Sequence, residues 1–163
     1  MILVSVGTQL PFDRLIRAVD LWAMSNERTD VIAQIGPSTY QPQHIDSFKF
    51  MESGRFRELE AQSDFLVAHA GTGSILAAFD LGKPIIVMPR DPLRGEHRSD
   101  HQKATARRLC NTRGLYIADD EAALSKLLDE SHLLNPPAGT RGSAQDVVFV
   151  RRLRAFIEDI SGE

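Results

Sequence analysis

Short apolar runs alternate with helical patterns along almost the whole of this 163-residue chain. The runs are solidly apolar rather than alternating in polarity, as at residues 2–6 and 85–88. Solid runs are typical of strands in a parallel sheet that helices cover on both faces. We therefore predict one α/β domain over residues 1–163, built on a doubly wound, parallel, Rossmann-like sheet.

The same patterns predict the order of the elements. Strands are expected at residues 2–6, 31–35, 48–51, 65–68, 85–88 and 115–117. Helices are expected at residues 12–23, 55–62, 72–82, 99–112, 121–128 and 146–160. In a sheet of order 3-2-1-4-5-6 the winding reverses between strands 1 and 4, and ligands bind at the carboxyl ends of these two strands.

The composition argues against several other classes of protein. The apolar and charged fractions, 42% and 25%, are ordinary for a globular domain. A net charge of −3 gives no electrostatic support for binding nucleic acid, so we expect no such partner. The single cysteine, Cys110, excludes an intramolecular disulfide and fits a reducing cytoplasm. No apolar run approaches 18 residues and the N-terminus lacks a basic flank, so we expect neither a membrane span nor a signal peptide.

A glycine-containing loop joins the fourth predicted strand to the helix that follows it. The loop is His69-Ala70-Gly71-Thr72-Gly73-Ser74. A strand that breaks on glycines and continues as a helix presents free backbone N–H groups and the positive end of the helix dipole. Thr72 and Ser74 add hydroxyl donors, and the glycines allow close approach of a ligand. The loop therefore indicates a phosphate or diphosphate site, although such turns also occur for steric reasons alone.

A second special loop, Gly7-Thr8, follows the first predicted strand. Both loops fall where the reversal of the winding places a ligand, which strengthens the phosphate interpretation. The dinucleotide fingerprint G-x-G-x-x-G is absent after strand 1, which argues against an NAD-binding domain.

An ordered set of motifs over residues 2–128 resembles one family. The motifs are Val4-Ser5-Val6-Gly7-Thr8, Phe12-Asp13-x-Leu15, Ser63-Asp64, the strand and loop ending His69-Ala70-Gly71-x-Gly73-Ser74-Ile75-Leu76, Leu81-Gly82-Lys83-Pro84-Ile85-Ile86-Val87-x-Pro89, and Asp100-His101-Gln102. Together they resemble the donor-binding, glycosyltransferase family 28 C-terminal domain. The resemblance is strongest to the free-standing subunits of split enzymes, both eukaryotic (Alg13-like) and bacterial exopolysaccharide (PssE-type).

The resemblance implies half of a GT-B glycosyltransferase. Such a subunit is expected to act as a hexosyltransferase that moves glucuronic acid or N-acetylglucosamine from a UDP-sugar to a lipid-linked acceptor, in exopolysaccharide or glycan biosynthesis. A membrane-anchored Alg14/PssD-like partner would bind the lipid-linked oligosaccharide acceptor and hold the chain at the cytoplasmic membrane face. The helix at 146–160 would dock this partner or pack on its own domain. Two alternatives stay open: a nucleotide-sugar epimerase-like enzyme and a non-catalytic regulatory subunit.

Roles for the site residues follow from chemistry and from the resemblance. Gly71, Thr72, Gly73 and Ser74 are expected to receive the diphosphate, with Gly7 and Thr8 on the opposite wall. His69 either donates to a phosphate or holds its loop by a backbone hydrogen bond, and it is the one catalytic candidate. Asp100 and Gln102 match the family position that meets the donor sugar; otherwise Asp100 caps a helix and Gln102 is solvated. No cofactor and no metal are expected, because the UDP-sugar is the substrate and the five histidines are scattered.

Three further features concern the donor. The family commonly has a glutamate on the helix after the glycine loop, where it can bind the ribose hydroxyls. This chain has Ala77 at that position. Either another group holds the ribose, or discrimination between nucleotides is weaker. The loop after strand 5 carries three arginines, Arg90, Arg94 and Arg98. Arginine suits planar carboxylates, so one of them is a candidate to recognise a uronic-acid donor; the alternative is a solvated or subunit-facing loop. Phe50 and Met51 are expected near the base or in the core.

Overall fold

The computed structural model describes residues 1–137, together with residues 151 and 155. The strands of this part are β1 (Ile2–Ser5), β2 (Val31–Gln34), β3 (Asp46–Phe48), β4 (Phe65–His69), β5 (Ile85–Met88) and β6 (Leu115–Ile117). The α-helices are α1 (Asp13–Ser25), α2 (Ser53–Gln62), α3 (Thr72–Asp80), α4 (His101–Leu109) and α5 (Glu121–Asp129). Short 3₁₀ turns lie at Pro92–Arg94 and Ser131–Leu133.

The six strands form one parallel sheet in the order β3-β2-β1-β4-β5-β6. This order confirms the predicted doubly wound fold. The winding reverses between β1 and β4, which pair directly from Ile2 with Phe65 to Ser5 with Ala68. The loops that leave β1 and β4 therefore emerge side by side at the carboxyl edge of the sheet.

The core lies on both faces of the sheet, which explains the solid apolar runs. In β1, Ile2 and Val4 join the cluster formed with α1 and α5. Leu3, between them, points into the opposite cluster, which includes Ile75 of α3 and Leu109 of α4. Since successive side chains of a strand point to opposite faces, a strand that is covered on both sides is apolar at consecutive positions along its buried length.

The third strand is the main correction to the predicted elements. It spans Asp46–Phe48 rather than residues 48–51, and it pairs only with β2, so it forms the edge of the sheet. The pairing stops where Gly36 turns the partner chain away with a φ of +52°. Phe50 therefore lies beyond the strand and is 57% exposed instead of belonging to the core.

The remaining differences concern the ends of helices. The helix at α4 spans 101–109 rather than 99–112, and α2 begins at Ser53 rather than Arg55. The predicted helix at 146–160 lies outside the described residues, except for Arg151 and Ala155. In the described part of the chain, no helix has the length and apolar character needed to cross a membrane.

Candidate functional site

A cleft of about 580 Å³ opens at the carboxyl edge of the sheet, where the winding reverses. The loop after β1 forms one wall from Ser5 to Leu10, and the loop after β4 with the first turns of α3 forms another. Helix α2 closes a third side. The cleft is therefore located where a doubly wound sheet binds its ligand.

Eight of the ten predicted binding residues line this one cleft. They are Gly7, Thr8, His69, Gly71, Thr72, Gly73, Ser74 and Gln102. The other two, Arg98 and Asp100, are exposed and are not among its lining residues. Asp100 occupies the N-cap of α4 without a capping hydrogen bond from its side chain.

The N-terminus of α3 presents its backbone donors to the cleft. Gly71 is the N-cap, and the first backbone hydrogen bond back to it comes from Ile75 N at 3.2 Å. Within the described residues, nothing accepts a hydrogen bond from the N–H groups of Thr72, Gly73 or Ser74. The space beside Gly73 is open for 4 Å around an added Cβ. Three free donors at the positive end of a helix form a site suited to an anion.

The imidazole of His69 fills the gap between the two glycine-containing loops. A Cβ at Gly7 would lie 3.0 Å from Cε1 of the ring, and one at Gly71 would overlap Nε2. Gly7 also has a φ of +75°, which residues other than glycine rarely adopt. Both glycines are therefore required to accommodate the ring, in addition to any ligand.

His69 is a neutral group at physiological pH. Burial is the main cause that lowers the pKa of its imidazole, and together with the nearby charge of Arg90 it brings that pKa to about 4. Its Nδ1 atom is buried without a hydrogen bond of normal geometry to any described residue, although the Ser5 backbone favours protonation of the ring. Both roles considered for His69 stay predictions, and the Ser5 backbone is the candidate partner for the second. A neutral ring can donate or accept one hydrogen bond towards a ligand, but it carries no charge to it.

The Arg90 side chain links backbone segments of this domain and is not available to bind a substrate. Its side chain is buried and its two Nη atoms donate four hydrogen bonds to backbone carbonyls. The acceptors are Val6 and Leu10, each at 2.8 Å, Pro11, and Glu96 at 3.3 Å. Burial lowers the pKa of Arg90 to about 10, so the guanidinium stays charged at neutral pH. Every Nη hydrogen is engaged, which leaves none of them for a uronate carboxylate.

The other two arginines of this loop also lie away from the cleft lining. Arg94 is near Asp91 and Glu121, at 3.8 Å from each carboxylate, and borders a neighbouring cavity. Arg98 is exposed. The placement of these residues gives the uronate hypothesis no geometric support.

Gln102 has a different environment from the solvated one considered above. It is 8% exposed, and its Oε1 accepts a hydrogen bond from the N–H of Arg90 at 3.1 Å. The side chain therefore fixes the backbone of Arg90, the second residue after β5, while it borders the cleft.

The α2 wall is a part of the site that the sequence patterns did not reveal. Ser53, Phe56, Arg57 and Glu60 of this helix line the cleft, together with Met51 just before it. Glu60 is 8% exposed, and burial raises the pKa of its carboxyl group. The available signal was an acid four residues after Phe56, on the side of the helix that carries Phe56 and Leu59.

The described residues contain no group of three or more His, Cys, Asp or Glu side chains placed to hold a metal ion. The polar groups that line the cleft include backbone donors, hydroxyls, glutamine amides, the neutral His69, the cations Arg57 and Arg90, and the carboxylate of Glu60.

Comparison with known proteins matches the family description "Glycosyltransferase family 28 C-terminal domain" to residues 1–149. A mouse protein named UDP-N-acetylglucosamine transferase subunit ALG13 is 27% identical over an alignment of 116 residues, and the match covers 61% of this chain. The chain spans 9% and 19% of the lengths of the two curated relatives it matches, from Mus musculus and Debaryomyces hansenii.

Two solved structures illustrate the likeness of fold. The NMR solution structure of ALG13 has a TM-score of 0.63 at 19% identity and covers 93% of this chain and 94% of that one. The UDP-GlcNAc 2-epimerase of Methanocaldococcus jannaschii, in complex with UDP-GlcNAc and UDP, has a TM-score of 0.56 at 15% identity. That match covers 93% of this chain and 44% of the epimerase.

The packing of His69 predicts opposite effects for two neighbouring glycines. Gly71→Ala forces a Cβ onto the ring, so the free energy of unfolding should fall by about 1–3 kcal/mol, as in other overpacked sites. Gly73→Ala meets open space in a helix, so the stability should stay unchanged or rise by up to about 1 kcal/mol. Urea denaturation measures both, and equal losses in the two variants would contradict this account of the ring.

The low pKa of His69 predicts a specific loss of stability in acid. Between about pH 6.5 and pH 4 the unfolded chain binds a proton at this position that the folded chain does not, so stability falls as the pH falls. From pH 7 to pH 5 the contribution of this group is about 2 kcal/mol. His69→Asn should remove that part of the dependence when urea unfolding is compared at the two pH values. A variant that keeps the whole wild-type slope would show that the ring titrates normally.

Proposed function

Because the chain belongs to the glycosyltransferase family 28 C-terminal domain family, we propose that it is the donor-binding and catalytic subunit of a two-component GT-B glycosyltransferase. It binds a UDP-sugar and acts as a hexosyltransferase. The observation that carries the proposal is the N-terminus of α3, whose three unpartnered N–H groups open into the cleft at the reversal of the winding. A diphosphate has the size and charge for such a site.

The proposed chemistry uses the backbone as the electrostatic catalyst. As the bond between the sugar and the diphosphate breaks, negative charge grows on the departing phosphate. The N–H groups at residues 72–74, the hydroxyls of Thr72 and Ser74, and the helix dipole stabilise that charge. On this proposal no divalent cation and no cofactor are required. His69, neutral at physiological pH, supplies a hydrogen bond rather than a proton.

We assign the acceptor to a second subunit. A GT-B enzyme closes two domains over its cleft, and the described residues form one doubly wound sheet. A membrane-anchored, Alg14/PssD-like subunit would supply the facing wall, the general base and the lipid-linked acceptor, at the cytoplasmic membrane face. The word "subunit" in the name of the similar mouse protein supports this arrangement. Glycan or exopolysaccharide biosynthesis is the corresponding process.

The donor sugar is either N-acetylglucosamine or glucuronic acid. The names of the curated relatives favour N-acetylglucosamine. Recognition of a uronate would rest on Arg98, since Arg90 is engaged with carbonyls and Arg94 borders a different cavity.

The epimerase alternative has one observation in its favour, the shared fold with an epimerase that was solved with UDP-GlcNAc and UDP. Both functions use the same cleft for the nucleotide, so nucleotide binding does not separate them. The products do: an epimerase converts the UDP-sugar alone, whereas a transferase needs an acceptor and releases UDP.

Reconstitution provides the test. The purified chain is incubated with UDP-N-acetylglucosamine or UDP-glucuronate and with membranes that contain or lack the candidate partner. We expect release of UDP and a glycosylated lipid only when the partner is present, and a loss of at least about tenfold in UDP affinity for Gly73→Val, which fills the open space beside the phosphate site.

Three other outcomes contradict the proposal in different ways. A changed sugar nucleotide without acceptor supports the epimerase. Turnover of the partner without this chain, with UDP bound normally, supports a regulatory subunit. If the wild-type chain binds no UDP-sugar, the proposal that this chain binds the donor is wrong.

A further inference from the structure

We propose that the Glu60 carboxylate recognises the ribose hydroxyls of the nucleotide and so makes the cleft selective for a ribonucleotide. The inference rests on the proposed function, because it presumes that a nucleoside diphosphate occupies the cleft. It adds a specificity-determining residue on α2, a wall formed by a different helix from the one that receives the phosphates.

Glu60 is held on the cleft side of α2 by the helix pattern. It follows Phe56 by four residues, and both side chains line the cleft. Its own helix ends two residues later, at Gln62, where Ser63 donates a hydrogen bond from its hydroxyl to the backbone carbonyl of Glu60 at 2.7 Å. This bond fixes the backbone without occupying the carboxylate.

The carboxylate of Glu60 lacks a partner in the part of the chain that the structure describes. Among the described residues, none donates a hydrogen bond to it or forms an ion pair with it, and its interaction with Arg57 is a longer-range attraction. The residue is only 8% exposed, yet neither carboxylate oxygen is fully enclosed. The accessible oxygens therefore face the cleft that the residue lines. Burying an unpaired acid is unfavourable, and it raises the pKa of this carboxyl group.

The position of Glu60 along the cleft suits a ribose. Ala77 of α3 lines the same cleft, one helical turn beyond Ser74 and about 4.5 Å further along the axis at 1.5 Å per residue. A ribose joined to a phosphate at the N-terminus of α3 reaches that depth. The methyl side chain of Ala77 provides space but no hydrogen bond, and Glu60 on the α2 wall of the same cleft supplies an acceptor without a partner among the described residues.

The chemistry of the carboxylate matches a vicinal diol. Two carboxylate oxygens accept hydrogen bonds and donate none, while the 2′- and 3′-hydroxyls of a ribose are two adjacent donors. Arg57, which also lines the cleft, cannot accept from a hydroxyl. A hydrogen bond to a charged acceptor is worth about tenfold to a hundredfold in affinity.

Calorimetric titration of the full chain with UDP, 2′-deoxy-UDP and 3′-deoxy-UDP tests the proposal. The wild type should bind at least one deoxy analogue about tenfold or more weakly than UDP. Glu60→Gln should bind UDP about as weakly as the wild type binds that analogue, and should lose most of the discrimination. Glu60→Ala gives the same measurement without a polar group at the position. Glu58→Gln, two residues earlier on the same helix and exposed, is the matched control and should behave as the wild type.

Thermal stability separates recognition from folding. An unpaired buried acid does not stabilise the fold, so Glu60→Gln should unfold at the same or a higher temperature than the wild type at pH 7.5 while its affinity falls. A residue with a merely structural role would lose stability and affinity together.

The possible results distinguish this inference from the function beneath it. If the wild type binds UDP and Glu60→Gln discriminates against the deoxy analogues as the wild type does, the role of Glu60 is overturned and donor binding stands. If the wild type does not bind UDP, both fail. If affinity falls equally for all three nucleotides in Glu60→Gln, the carboxylate contacts another part of the ligand and the ribose assignment is wrong.

Discussion

The shape of the cleft depends on the hydrogen bonds that the buried guanidinium of Arg90 donates to backbone carbonyls. Loops at the carboxyl edge of a parallel sheet carry carbonyls that the ladder does not satisfy. Arg90, two residues after the end of β5, donates hydrogen bonds to three of them in the loop after β1 and to that of Glu96 in its own loop. Its guanidinium also lies 4.7 Å from the ring centre of Phe12. One side chain thereby fixes a wall of the cleft against the strand two places away in the sheet.

A second constraint acts between the neighbouring loops. The His69 ring occupies the volume that side chains at residues 7 and 71 would need. The imidazole therefore packs between the two loops in place of side chains from the loops themselves. This arrangement leaves the first turn of α3 uncapped and its donors directed into the cleft. Structural packing and anion binding therefore make the same demand for glycine, and a glycine motif alone cannot separate the two.

Sequence patterns predicted what depends on local periodicity and failed where tertiary contacts decide. The strands at 85–88 and 115–117 and the strand order are confirmed, since buried parallel strands have a distinct apolar signature. The edge strand was misplaced because it contains the polar residues Asp46 and Ser47 and so lacks the apolar run that marks the other strands. Arg90 suggested a group that binds substrate, yet three of its four carbonyl partners lie about 80 residues away along the chain, which no local pattern reveals. Glu60 was overlooked because the pattern at residues 55–62 predicted only a helix and indicated no site.

The openness of the cleft gives a physical reason for a second subunit. Hydrogen bonds from α3 to a departing diphosphate are weakened by water, which competes for the donors and screens their charge. In the chain alone the cleft opens to solvent, and Thr8 and Gly73 are exposed. A facing domain that covers these residues would lower the local dielectric and so strengthen the same donors without any new contact to the phosphates. It would also exclude water as a competing acceptor of the sugar. On the proposed function, partner dependence thus follows from electrostatics even when every residue that binds the donor lies on this chain.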